Sequence, residues 1–79
     1  MRYLVVEGDD CIYEAVLTRL QEQDLQAKIT RVSERALALH ELKLNAEDFD
    51  KVYMHNVAYS IPAAIAELEQ YVASLSDAA

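Results

Sequence analysis

The sequence predicts a small α/β domain: a three-stranded sheet in the order 2-1-3, parallel throughout, with three helices in the sequence β-α-β-α-β-α. Three observations carry that prediction. The chain opens on an unbroken apolar run, Tyr3-Leu4-Val5-Val6, as expected of a strand covered on both faces. Two later segments, 27–32 and 51–57, have strand character. The stretches between and after them carry helical spacing or helical composition, and one helix between successive strands favours a parallel sheet with right-handed crossovers.

The elements follow in order. After the first strand, Gly8 offers a backbone free to take positive φ, and Asp9 or Asp10 can cap the next helix. Ile12, Val16 and Leu20 then recur every four residues with Tyr13 and Leu17 beside them, a helix that should fade in the polar run 21–26. Residues 27–32 alternate only in part, because Arg31 stands where a third apolar residue would continue the pattern, so a short edge strand is expected. Residues 35–44, RALALHELKL, are ambiguous: composition favours a helix, while Leu37, Leu39, Leu42 and Leu44 include strand-like alternation. Helix is preferred, and the strand alternative would make the fold α+β.

Residues 45–50 form a polar turn with Phe49 as its apolar anchor, and 51–57 supply the third strand. Residues 58–60 lead into the clearest helix, with Ser60 as a cap and Pro62 tolerated in the first turn. Ile61, Ile65, Leu68, Val72 and Leu75 make one 4-3-4-3 stripe, and the tail from Ser76 should fray. Such a stripe is most often core, and the same 4-3 spacing can also build the seam of a homodimer.

Charge and size narrow the function classes. Seven basic residues against fourteen acidic ones give a net charge of −7, which disfavours direct binding to a phosphate backbone and suits a basic protein partner. At 79 residues one domain is expected, small enough for self-association to aid stability. The single cysteine, Cys11, cannot close an internal disulfide, and the N-terminus has no signal-peptide pattern. The expectation is a cytoplasmic protein with no cofactor and no membrane contact.

Two acidic clusters are the candidate partner-binding residues: Glu7, Asp9, Asp10 and Glu14 after the first strand, and Glu47, Asp48 and Asp50 before the third. Together they could present an acidic face to a basic, nucleic-acid-binding partner. Helix capping and solvation account for the same residues without a partner. Lys28, Arg31 and Arg35, near the second strand, would keep a sheet edge from pairing with another chain. His40, His55 and Cys11 lack the spacing of a structural metal site, and Cys11 has no evident base beside it.

The opening LVVEGDD, followed by a helix, and the later stretch Asp50-Lys51-Val52-Tyr53-Met54 resemble a response-regulator receiver domain. The resemblance covers about the first sixty residues. It implies a magnesium-holding acid at Glu7, with Gly8 at the place of the second acid and Asp9 and Asp10 one step later; His55 stands where the phosphorylated aspartate is expected. The chain also has no counterpart of the family's fourth and fifth strands. Two functions stay open: a small acidic, non-catalytic regulator or inhibitor, a description that small phage-encoded anti-defence proteins fit in size and charge, and a degenerate receiver-like signalling module.

Overall fold

The computed structural model describes residues 1–55 and 57–77. The elements are β1 (Arg2–Val6), α1 (Asp10–Gln23), β2 (Lys28–Val32), α2 (Arg35–Asn45), a 3-10 turn (Ala46–Asp48), β3 (Lys51–Met54), β4 (Val57–Tyr59) and α3 (Ile61–Asp77). The four-stranded sheet runs β2-β1-β3-β4. β1 is parallel to both β2 and β3, whereas β4 is antiparallel to β3. The α/β class, the three helices and the β2-β1-β3 order agree with the sequence pattern.

The three-stranded, wholly parallel sheet does not hold, because the expected third strand divides. After Met54 the chain turns at His55, whose φ of 54° is left-handed. It then pairs back on itself, with Met54 opposite Val57 and Val52 opposite Tyr59. A polar pair, His55-Asn56, between two β-prone runs is the kind of punctuation a short hairpin uses, and His is among the residues that tolerate this backbone region. Asn56 itself lies outside the described residues. Residues 58–59, expected as a connection, therefore belong to an edge strand.

Alternation along the strands sends side chains to two layers. On one face, Tyr3, Val5 and Tyr53 meet Val16 and Leu20 of α1, with Tyr13, Ala27 and Ile29 at the margin. On the other, Leu4, Val6, Val52 and Met54 meet Ala38, Leu39 and Leu42 of α2 and Ala64 and Leu68 of α3. Ile12, placed with Val16 and Leu20 by its spacing, is 47% exposed, so Tyr13 rather than Ile12 extends the inner face of α1.

Residues 35–44 are helical, and the helix splits its leucines. Leu39 and Leu42 turn inward with Ala38, while Leu37 and Leu44 are 50% and 63% exposed. A strand would have put Leu37 and Leu39 on one face; the helical turn separates them. The turn that follows is held by Phe49, buried as its anchor.

In α3 four of the five stripe residues join the core. Leu68 is fully buried, and Ile61, Ile65 and Val72 pack partly buried on the same core. Leu75 alone of the five is exposed. The helix continues through Asp77, past the expected start of fraying, and residues 78–79 lie outside the described part. Among the described residues, no helix is long and apolar enough to cross a membrane.

Candidate functional site

The first acidic cluster sits at the carboxyl end of β1, but most of it already has work in the fold. The Asp9 carboxylate caps α1, accepting the N–H groups of Cys11 at 2.9 Å and Ile12 at 3.1 Å. The Glu7 carboxylate accepts the Asp9 N–H at 3.1 Å, which tightens the turn between strand and helix. Gly8 serves this turn by closeness rather than by positive φ: no glycine has positive φ, and a Cβ here would stand 3.1 Å from the Ser33 carbonyl oxygen. Asp10 pairs with Arg31 at 2.8 Å, and Glu14 is exposed one turn along α1.

Arg31 corrects the reading of the basic residues as mere edge protection. It points to the α1 side of the sheet, where its guanidinium lies 4.5 Å from the Tyr13 ring centroid. Its Nε donates to the Glu7 carbonyl at 3.0 Å while its Nη2 meets Asp10. One guanidinium thus ties the residue that follows β1, the first turn of α1 and the edge strand β2. The break in alternation at position 31 marked this tertiary partner.

The second acidic cluster lies at the other end of the sheet. Glu47 and Asp48 are exposed in the 3-10 turn. Asp50 accepts the Arg2 N–H at 2.9 Å and the Arg2 guanidinium at 3.4 Å. These bonds, the backbone one first, hold the Asp50 carboxyl below its ordinary value of 3.8. Asp24 is lowered in the same sense, first by the N-terminal ammonium at 2.6 Å and then by the Gln26 N–H at 3.1 Å. A five-residue strand separates the two clusters by roughly 15 Å along the sheet, so they do not gather into one site.

A cleft among the described residues lies at the carboxyl end of the parallel strands. It measures about 640 Å³ and is walled by Val6, Glu7 and Gly8 of β1 and its turn, Ser33–Ala36 at the start of α2, Met54 and His55 after β3, and Tyr71 and Leu75 of α3. Open α/β sheets bind ligands at this end, where successive crossovers leave to opposite faces. Arg35 is its central group. The guanidinium lies 4.6 Å from the Tyr71 ring centroid and donates to Nε2 of His55. Arginine only donates, so a His55 ring nitrogen is the acceptor of this contact.

Sequence reasoning missed this constellation, apart from singling out His55 and Arg35 for other reasons. Arg35, His55 and Tyr71 are separated by 20 and 16 positions and share no local pattern. Glu7 and His55, the two positions of the receiver resemblance, do line the same cleft, while Asp9 and Asp10 are drawn away onto α1 and Arg31. Cys11 is exposed in the first turn of α1. Among the described residues, no three His, Cys, Asp or Glu side chains converge as a metal site would need. Compared with known proteins, the chain matches no family model, no curated protein and no solved structure.

Proposed function

We propose that the protein is a non-catalytic binding module, a regulator or inhibitor, that engages a protein with a basic surface through the acids at the carboxyl end of its sheet. One observation carries this reading. At that end five carboxylates, Glu7, Asp9, Asp10, Glu14 and Glu34, stand around two guanidinium groups, Arg31 and Arg35. The opposite end mixes Glu47, Asp48 and Asp50 with Arg2, Lys28 and Lys51, which the strand register brings to the same level. An uncompensated field of one sign steers a partner of the other sign and weakens with salt.

The test uses the two carboxylates of that end that hold no hydrogen bond or ion pair among the described residues, Glu14 and Glu34. The tagged protein is used for capture from lysate at low and high salt, beside the E14K/E34K and E47K/D48K variants. The reading expects basic proteins retained at low salt, lost in E14K/E34K and kept in E47K/D48K. Equal capture by all three forms, with thermal melts showing each folded, would overturn it.

The receiver-like module is the second reading, favoured by Glu7 and His55 lining one cleft. It expects magnesium to move the amide signals of Glu7, Gly8 and His55 first. Silence there, or equal effects at the far acids Glu47 and Asp48, removes it.

A further inference from the structure

We propose that the cleft at the carboxyl end of β1 and β3 binds a small apolar carboxylate, with Arg35 and His55 holding the carboxylate and Leu75 meeting the apolar body. The cleft volume, about 640 Å³, falls within the range of small-molecule sites.

Arg35 supplies the first argument. Two carboxylates, Glu7 and Glu34, line the same cleft, yet none lies within 4 Å of the Arg35 guanidinium among the described residues. Glu7 is turned toward the Asp9 N–H instead, and Glu34 is exposed. The guanidinium nonetheless lies over the Tyr71 ring and is bonded to His55. A half-buried guanidinium has five donors, and among the described residues only the contact with His55 uses any of them. Placed between Tyr71 and His55 with further donors, it is a seat for a planar carboxylate, which matches its fork with two parallel bonds.

The surroundings choose the ligand class. Glu7 and Glu34 repel a dianion more than a monoanion, which places a carboxylate ahead of a phosphate. The exposed apolar part of the wall is Leu75, more than half exposed and, among the described residues, the one stripe residue of α3 outside the core cluster; Val6 and Met54, which also line the cleft, are buried. His55 is kept in a left-handed backbone, a cost that persists where the surroundings fix the residue.

The experiment is a titration of the isotopically labelled protein with benzoate, with benzamide as the uncharged isostere and inorganic phosphate as the dianion, followed by amide shifts. The proposal expects saturable benzoate shifts at Ser33–Ala36, His55 and Tyr71 with a dissociation constant near about 1 mM, in keeping with the size of the probe. Benzamide and phosphate should bind about tenfold more weakly or worse. R35Q should lose benzoate binding by a similar factor, and L75E, at an exposed position, should lose it with the fold intact. Benzamide matching benzoate, phosphate exceeding it, shifts centred elsewhere, or unchanged affinity in L75E would overturn the proposal. These readouts need no protein partner, so they stand or fall apart from the capture experiment.

Discussion

Replacing Arg31 by methionine removes one guanidinium while leaving most of the apolar stem, and its cost can be worked from three contacts. The bond from Nε to the Glu7 carbonyl at 3.0 Å is charge-assisted but only partly buried, worth about 1–1.5 kcal/mol. The stack on Tyr13 at 4.5 Å adds about 0.5–1 kcal/mol. The pair with Asp10 contributes at most about 0.5 kcal/mol, because the Asp10 side chain is 86% exposed and screened by water. Since one group makes all three contacts, their sum is not strictly additive, and about 2 kcal/mol is the expected loss. A domain of 79 residues has roughly 4–12 kcal/mol to lose. R31M should therefore unfold in urea at a clearly lower midpoint with unchanged slope, and melt roughly 8–16 °C earlier. Double-mutant cycles apportion the effect: coupling to Tyr13→Leu should exceed coupling to Asp10→Asn. A loss under about 0.5 kcal/mol, or Asp10 carrying the larger coupling, would refute the account of Arg31 as the tie between β1, α1 and β2.

Further expectations concern the core, the cap and acid. Leu68→Ala should cost about 2–5 kcal/mol by urea denaturation, whereas Leu75→Ala should stay within about 0.5 kcal/mol, because only the first of these stripe residues is buried. Asp9→Ala should cost about 1 kcal/mol and speed amide exchange at Cys11 and Ile12, its two bonded partners; an equal effect from Asp10→Ala would contradict the cap assignment. Asp24 and Asp50 have folded-state values below 3.8, so the stability they supply is present above that pH and lost as pH falls below it. The D24N/D50N double variant should accordingly be less stable at neutral pH and lose less stability between pH 4 and 2 than the parent, a difference that denaturation across that range would read.

The parts of the fold that were legible in the sequence are those fixed by local periodicity. The four apolar residues opening the chain gave β1, the Asp9 cap began α1, and the 4-3 spacing from Ile61 gave α3. What escaped depends on chemistry that periodicity does not encode. The 51–57 stretch is continuous in β-propensity, and only the polar His55-Asn56 pair inside it marked a reversal. The α3 stripe has the same spacing whether it meets a sheet or a second copy; Leu68, buried among Leu4, Leu42 and Val52, serves the core. The acids read as two similar clusters because sequence carries no distance between them. Parallel pairing of β1 with β3 then places the turn after β1 and the turn before β3 at opposite ends. The cleft was the least legible, since Arg35, His55 and Tyr71 come from three different elements.

The separation of the acids also divides folding from binding. Asp9, Asp10 and Glu7 are explained by the turn they build: a cap, an ion pair to Arg31 and a bond to the Asp9 N–H. Their negative charge also suits the positive end of α1. None of that applies to Glu14, past the first turn, or to Glu34, whose side chain makes no capping bond at the start of α2. A charge reversal at Asp9 would confound loss of binding with loss of a helix cap. Reversal at Glu14 costs the fold no contact, and at Glu34 only a modest interaction with the α2 dipole. If binding follows Glu14 and Glu34 while the melting temperature barely moves, the acidity of this end serves recognition. If binding is indifferent to them, capping and solvation account for the acids of this end.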